Sequence, residues 1–515
     1  MGVYINLDIM PSKISKEDWE GVYKETLELI HAYAFACIKT DCVQDIERIF
    51  IDRAEEIVED DVDREIRYWR VCGDLETKRT GETFLLYEDI EKYNKNAEKD
   101  INDILELYLN DDTNGVSRIF NSKTQGEEYH IYVLAIACLI ESRLKGKAVV
   151  YGDVTKEQAE IAIEWANGIL KTPIQLPVRT DYNELVSRLN GLVGENVLGS
   201  FMSLKIGENE ERLNEFIAEN FDKEEINKYY MSKLKKHYTS LGQLGAEKIL
   251  INYLNMGYSL EEISDLFCYK EEGPKFNEID FVKAIADTWL FIPLKHRECM
   301  NILKKSSDNP TKIYHQFGLM FLNMGFLGRL NNKYLPFEEG LAILNNKFPE
   351  VQDIRKLVED KNIEIIGTLQ KMETELSQIS ESAIELHENK IICDFDELMY
   401  YTAEHQLSQE IEELIKQVKE FALNIMKSNE NIIEILRDID KKDDYVKLLV
   451  RVTKKDNLLL SRQAWNWVEG INDIKVYKVL IGIALTVASE NVRDLKKAVF
   501  ENREFFTKYI ASICK

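Results

Sequence analysis

The chain has 515 residues, and its 91 acidic side chains outnumber its 66 basic ones, which gives a formal net charge of −25. A surface of this charge repels polyphosphate backbones and anionic lipids, so it excludes general binding of nucleic acids or membranes. The length predicts two to four domains, and an apolar content of 45% is enough to fill their cores.

The N-terminus and the cysteines indicate a reducing cytoplasm. The first residues contain no basic segment followed by a long apolar core, so they do not have the pattern of a signal peptide. The eight cysteines include no CxxC pair, and their spacing is not typical of a secreted disulfide scaffold. The two most apolar segments, residues 131–140 and 479–488, are about half as long as a membrane span. We expect both to be buried helices.

Residues 1–190 combine strand and helix patterns. Apolar and polar side chains alternate between residues 3 and 9, which predicts a half-buried strand, and an amphipathic helix follows. Two short aromatic and β-branched segments near 66–72 and 83–87 predict a hairpin. An apolar helix then leads into AVVYG at 148–152, which is typical of a buried strand. These elements predict an α+β or α/β domain.

Asp153 is the residue of this domain with the most enzyme-like position. It follows the predicted buried strand and precedes a helix, where α/β folds commonly place reacting or ligand-binding groups. We expect it to be joined either by His130, Glu141 and Arg143 of the preceding helix, or by Arg179 and Asp181 after the next predicted strand. In the alternative interpretation, Gly152 and Asp153 form only a turn, and Glu141 and Arg143 lie at the polar end of their helix.

The densest acidic run of the chain lies between Glu55 and Glu65. It lacks the spaced oxygen ligands and the turn glycine of an EF-hand loop, so we do not predict a calcium site. Two interpretations stay open: a solvated helix end, or a docking patch for a basic surface. The side chains that would contact such a partner are Glu59, Asp60, Asp61 and Asp63.

A tryptophan pair in the C-terminal region is a second candidate for partner binding. Trp465 and Trp467 are two residues apart, so they project from different faces of the predicted helix. One is expected in the core. Trp467 is the candidate contact residue, because tryptophan is enriched at the energetic centres of protein interfaces.

From residue 191 to the C-terminus the sequence has helix patterns and no convincing strand. Two stretches have heptad spacing, and their members are Ile365, Leu369, Met372, Leu376, Ile379, Ala383 and Leu386, followed by Ile411, Leu414, Val418, Phe421 and Ile425. Residues 365–425 are therefore expected to form an antiparallel hairpin or, alternatively, to face a second copy of the chain.

The predicted fold class is predominantly α, with an N-terminal α+β (or α/β) domain followed by an all-helical array that includes the heptad-patterned helical hairpin. The predicted domains are 1–190, 191–350 and 351–515. The division near 350 rests on the turn residues around Pro349 and the heptads that follow it.

The sequence lacks the motifs that would indicate a cofactor or a metal ion. No GxxxxGK[ST] is present, so a phosphate-binding P-loop is excluded, and the glycines after residue 190 do not match GxGxxG. The seven histidines are scattered, without HExxH or a cluster with cysteine. We therefore predict neither a cofactor nor a metal site.

Strong acidity, a helical surface and the lack of catalytic spacing favour a non-enzymatic protein that binds another protein. The most specific form of this hypothesis is an immunity or inhibitor protein that masks a basic partner. Richness in Lys, Ile, Asn and Glu suggests a bacterial or phage source. Two alternatives stay open: an enzyme with its site around Asp153, and a helical scaffold that self-assembles through residues 365–425.

Overall fold

The computed structural model describes residues 2–61, 64–93, 101–112, 114–207, 210–300, 324–428, 442–487 and 489–514. The chain is 58% helical and 14% strand, mostly helical with an N-terminal α+β domain. The strands of the described residues are β1 (Tyr4–Ile9), β2 (Phe35–Val43), β3 (Ile46–Arg53), β4 (Glu56–Asp61), β5 (Arg64–Asp74), β6 (Thr80–Tyr87), β7 (Ser117–Lys123), β8 (Ala148–Gly152), β9 (Ile391–Ile392), β10 (Gln406–Leu407) and β11 (Leu460–Ser461).

The α-helices of the described residues are numbered from the N-terminus. They are α1 (Lys16–Ala32), α2 (Ile104–Leu109), α3 (Tyr129–Arg143), α4 (Lys156–Asn167), α5 (Tyr182–Leu192), α6 (Val197–Leu204), α7 (Glu210–Asn220), α8 (Lys223–His237), α9 (Leu244–Asn255), α10 (Leu260–Ser264), α11 (Glu278–Asp287), α12 (Phe337–Lys347), α13 (Ile354–Glu388), α14 (Gln409–Ser428), α15 (Lys442–Lys455), α16 (Arg462–Gly470), α17 (Ile474–Ala484), α18 (Glu490–Glu501) and α19 (Arg503–Phe505).

The chain folds into two compact units, and each unit is assembled from three segments. The first unit consists of Met1–Ala32, Ile57–Tyr68 and Phe84–Ser377, and the second of Tyr33–Glu56, Trp69–Thr83 and Gln378–Lys515. Strands β5 and β6 therefore each begin in one unit and end in the other.

The first unit contains a three-stranded antiparallel sheet in the order β7-β1-β8. In this register Asp8 of β1 lies opposite Arg118 of β7 and Val149 of β8. Helix α3 packs on the sheet and against α1 and α4. The predicted first strand is confirmed, but its polar side is buried too, since Asn6 and Asp8 are only 8% and 3% exposed. Polar side chains buried in this way need partners inside the protein.

The remainder of the first unit is largely helical. Most of its helices pack around an apolar core that includes Phe201, Tyr253 and Phe281. The same core contains Leu105 of α2 and Val149 of β8. The sheet and the helices that follow it are therefore joined by shared apolar packing rather than by a linker.

In the second unit, β2 and β3 form an antiparallel hairpin from Ala36 opposite Arg53 to Val43 opposite Ile46. Gln44 and Asp45 connect the strands with φ values of 47° and 65°. Two positive φ angles in a two-residue loop identify a type I′ turn, which matches the twist of the paired strands.

A second contribution to this sheet comes from far along the chain. β11 pairs with β3 in parallel, with Leu460 opposite Phe50 and Ser461 opposite Ile51. Phe50, Leu460 and Trp465 lie in the apolar core of the second unit. The complete sheet has the order β11-β3-β2-β5-β4, and β6 also pairs with β5.

Segment 131–140 lies in a buried helix, as predicted, and so do residues 479–484, but α17 ends at Ala484, Val487 is 80% exposed, and residue 488 lies outside the described residues. Leu134, Ile136 and Leu139 of α3 are inaccessible to solvent, and so are Leu480 and Ile483 of α17. Throughout the described ranges, no helix has an apolar run of the length that a membrane crossing requires.

The predicted fold class is wrong in its description of the chain beyond residue 191. That region is not all-helical, because it contains β9, β10 and β11. β9 pairs with β10 in parallel, and β11 completes a sheet with an N-terminal strand. Strands of two residues show no alternation in the sequence, so the pattern could not reveal them.

The predicted heptad hairpin is wrong as well. Ile365 and Leu369 of α13 pack in the first unit with Trp289 and Ile292. Ile411 and Val418 of α14, in contrast, lie in the core of the second unit, where α14 contacts α17, whereas Phe421 is 43% exposed. The side chains of Ile379, Ala383 and Leu386 lie outside the described residues. A heptad stripe specifies an apolar helix face but not its partner, and here each stripe covers a different core.

Candidate functional site

Asp153 extends the pairing between β1 and β8. Its backbone N–H donates to the Tyr4 carbonyl at 2.9 Å, and its Oδ2 accepts from the Tyr4 N–H at 2.9 Å. Gly152, before it, has a φ of 119°, and a Cβ there would lie 2.6 Å from the Tyr4 oxygen. The Asp153 carboxylate is thus bound to backbone at a glycine-dependent turn, as the alternative interpretation described.

Glu141 is fully buried beneath the same sheet. Its Oε2 accepts from the Val150 N–H at 2.5 Å, and its Oε1 accepts from the Val178 N–H at 2.6 Å. Burial raises the pKa of this carboxyl to about 7, although the two N–H donors act in the opposite direction. Glu141 therefore joins α3 to β8 and to the segment before α5.

His130 and Arg143 also have partners of their own. His130 is buried with its Nδ1 2.7 Å from Thr124 Oγ1, and burial lowers its pKa to about 4, so the ring is neutral at neutral pH. Arg143 donates from Nε to Glu25 at 2.7 Å and from Nη1 to the Pro173 carbonyl at 3.3 Å.

The structure does not link the predicted catalytic residues to one another. Within the described ranges, no hydrogen bond or ion pair joins any two of the four, which are His130, Glu141, Arg143 and Asp153. Asp181 instead caps α5 through the N–H groups of Asn183 and Glu184. These contacts describe structural roles and leave no nucleophile and base in hydrogen-bond contact.

The acidic run lies on a strand, β4, and not at a helix end. β4 is the last strand in the order of its sheet, and Glu59 and Asp60 are exposed. Glu59 accepts a hydrogen bond from Tyr68 Oη at 2.5 Å. In the part of the chain that the structure describes, neither carboxylate forms an ion pair. The side chain of Asp61, and all of Asp63, lie outside the described residues.

Of the two tryptophans, Trp465 is the core residue, with the Arg48 guanidinium 5.1 Å from its ring. Trp467 is partly exposed. Its ring lies 5.1 Å from that of Phe506 and 4.5 Å from the Arg503 guanidinium. The candidate contact residue is therefore half-covered by its own chain.

An open groove of about 1110 Å³ lies beside α8 and α10. Its lining contains four lysines and four acidic side chains, among them Lys223, which pairs with Glu262 at 2.8 Å. The groove thus shows no charge preference that would identify a ligand. In the described segments there is also no group of three His, Cys, Asp or Glu side chains that could hold a metal ion.

A polar cluster on the buried side of β1 was not predicted from the sequence. We name it the Asp8 cluster, and its members are Asp8, Tyr108, Arg118, Tyr151 and Arg179. Asp8 Oδ2 accepts from Tyr108 Oη at 2.6 Å, Asp8 Oδ1 accepts from Arg118 Nε at 3.1 Å, and Tyr151 Oη lies within 3.3 Å of both oxygens. The carboxylate is therefore held by three donors from β7, β8 and α2.

Arg179 completes the cluster from the loop before α5. Its guanidinium carbon lies 5.5 Å from the ring centre of Tyr108 and 5.7 Å from that of Tyr151. The Arg118 guanidinium lies 5.5 Å from the same Tyr151 ring. Burial raises the pKa of Tyr151 to about 12, so its hydroxyl keeps its proton and can donate.

Comparison with known proteins does not relate this chain to any family or solved fold. No family model matches the sequence, no curated protein matches it, and no solved structure matches the fold.

Proposed function

We propose that this chain is a non-enzymatic protein that binds a basic protein partner, and that the outer edge of β4 is part of the binding surface. The observation that carries the proposal is the position of Glu59 and Asp60, which are exposed on the last strand of the sheet. An outer strand offers backbone N–H and C=O groups to an added strand, and carboxylates beside them favour a basic one.

The side-chain order along β4 specifies the strand that would fit. Side chains alternate between the two sides of a strand, so Val58 and Asp60 lie on one side and Glu59 on the other. Val58 is 46% exposed, which is unusual for an apolar residue in a sheet. Directly opposite side chains on paired strands are about 5 Å apart. A partner strand with an apolar residue opposite Val58 and a basic residue opposite Asp60 would match both.

The net charge supports the same class of partner. A charge of −25 attracts basic proteins over distances longer than a contact and speeds their association, and salt weakens this attraction. In its most specific form, the proposal is a cytoplasmic immunity or inhibitor protein of a bacterial or phage cell that masks a basic protein such as a nuclease.

The test must separate a binding edge from a merely protective one, because charged side chains on outer strands also prevent aggregation. A tagged chain would be purified from its source cells at low and at high salt, and co-purifying proteins identified by mass spectrometry. The test variant is Glu59→Lys with Asp60→Lys. The control is Glu215→Lys with Glu219→Lys, two exposed acids on α7 whose reversal changes the net charge equally.

We expect one basic protein that is retained by the wild type and by the α7 control at low salt. High salt or the β4 reversal should remove it. Equal retention by both variants would contradict a role for β4. Recovery of the chain alone at both salt concentrations would contradict the protein-binding proposal and favour the enzyme alternative around Asp153, whereas recovery of untagged copies of the same chain would indicate self-assembly.

A further inference from the structure

Arg179 is a buried cation with few partners. The residue is only 9% exposed, and its guanidinium group donates one hydrogen bond to the described residues, from Nε to the Leu204 carbonyl. Among the described residues, no carboxylate forms an ion pair with it, and its two Nη groups donate to none of them. A charge this buried is costly without an opposite charge in contact, and arginine cannot escape the cost by losing its proton.

The carboxylates nearby are already bound to other donors. Asp8 is held by Arg118 and by the hydroxyls of Tyr108 and Tyr151. Both oxygens of Glu141 accept backbone N–H groups. The cluster thus holds two guanidinium groups against the one carboxylate of Asp8.

Among the described residues, the Nη groups of Arg118 and Arg179 donate no hydrogen bond, since each side chain bonds through Nε alone. Arg118 uses only Nε on Asp8, and its side chain is 49% exposed. The guanidinium carbons of Arg118 and Arg179 lie 5.5 Å and 5.7 Å from the centre of the same Tyr151 ring. The planar fork of N–H donors in a guanidinium group matches two oxygens of an oxyanion. A phosphate group has enough oxygens to bind two guanidinium groups.

We propose that the Asp8 cluster binds the phosphate group of a small molecule, with Arg118 and Arg179 as its cationic contacts and Asp8 as the residue that positions Arg118. The site is a local cationic spot in an acidic protein, so it would accept a compact phosphate compound and not a polyanionic strand. It lies within the first unit and does not depend on the partner proposed for β4, so either proposal can fail alone.

The test is equilibrium dialysis of the full chain against radiolabelled orthophosphate, with chloride keeping the ionic strength constant. The variants are Arg118→Met, at a half-exposed position, and Arg179→Lys, which keeps the charge but loses the fork. The matched control is Arg143→Met, because Arg143 belongs to the same unit but already has Glu25 as its partner. Circular dichroism would confirm that each variant is folded.

We expect saturable binding of about one phosphate per chain, with pyrophosphate as a competitor. Each cluster variant should weaken binding roughly tenfold or more, since hydrogen bonds to charged groups are worth about 1.5–3 kcal/mol. Arg143→Met should bind as the wild type does. Absence of saturable binding by the wild type, equal binding by Arg118→Met, or equal competition by acetate would overturn the assignment to phosphate.

Discussion

Glu141 is the buried acid for which we expect the clearest effect of pH on stability. Burial raises its pKa from 4.5 to about 7 in the folded protein. Between these pH values the folded protein keeps a proton that the unfolded chain has lost. The stability contributed by this proton is complete below the unfolded pKa and decreases as the pH rises to the folded one.

Replacement of Glu141 by Gln should remove this part of the pH dependence. At about 1.4 kcal/mol per pKa unit, the wild type should lose ~3 kcal/mol of unfolding free energy to this group as the pH rises. Urea denaturation at about pH 5 and about pH 8 would measure the difference. Glu141→Gln should show a smaller loss, whereas Glu17→Gln, at an exposed position on α1, should keep the wild-type loss. Identical losses in all three proteins would refute the assignment.

Lys496 presents the opposite case in the second unit, because its charge is buried but paired. Its Nζ lies 2.5 Å from Asp456 Oδ2 and 3.0 Å from the Ala484 carbonyl. The Lys496 side chain is completely inaccessible to solvent. The pair therefore holds a cation where water cannot solvate it.

Asp456→Ala should destabilise the protein by about 3 kcal/mol, because it leaves the buried ammonium without its opposite charge. Chemical denaturation would measure the loss. The control is Glu420→Gln, an exposed change on α14, for which we expect less than about 0.5 kcal/mol. A loss for Asp456→Ala as small as that of the control would show that the ammonium is solvated or paired in another way.

Residue patterns identified positions in the sequence but not their surroundings. Alternation correctly assigned Asp8 to the polar side of the first strand, yet it could not show that α2 and Arg179 cover that side. Asp153 was selected because of its place after a strand, and the structure shows its carboxylate bound to the Tyr4 backbone. Burial and partners come from residues far along the chain, such as Tyr108, which is 100 positions from Asp8.

At the level of elements, local signals were predictive where they were strong. The strand β1, the hairpin of β5 and β6 and the apolar helix α3 are all present. Thr155 and Gln158 have the spacing of a capping box in the sequence, and the structure forms that capping box at the start of α4. The β2–β3 hairpin was not predicted, because its turn residues Gln44 and Asp45 lack the Asn-Gly or Asp-Gly signal of a type I′ turn.

That turn offers a direct test at the same scale. Gln44 and Asp45 both occupy the left-handed region, which is costly for most side chains. Gln44→Asn together with Asp45→Gly should relieve the cost and stabilise the hairpin, raising the free energy of unfolding by about 1 kcal/mol. Denaturant titration of the second unit's transition would show the change. A neutral or destabilising result would mean that the loop does not adopt the type I′ geometry.

For the whole molecule, composition predicted the general architecture better than heptad periodicity predicted which helices pack together. The predominance of helix agrees with the structure, and so does the expectation that segment 131–140 lies in a buried helix. The heptads of α13 and α14 misled, since periodicity defines an apolar face without saying which core it covers. The pairing between β3 and β11 could not be predicted from the sequence either. It involves only two residues of each strand, and about four hundred residues separate the two strands along the chain.

The net charge of −25 becomes more informative because the structure places part of it on β4, the last strand in the order of its sheet. Carboxylates that pair internally, such as Asp103 with Arg188, stabilise the fold and are unavailable to a partner. Glu59 and Asp60 have no such ion pair in the described part of the chain. The proposed basic partner would contact the chain at these two carboxylates.

The most direct measurement is hydrogen exchange at the β4 amides, with and without the co-purified basic partner. If a strand adds to this edge, the outward N–H groups of β4 should become protected, while those of α7 exchange as before. Glu59→Lys with Asp60→Lys should abolish that protection at the same partner concentration. Unchanged exchange at β4 in a complex that is demonstrably formed would contradict the proposed binding edge and direct attention to other acidic surfaces.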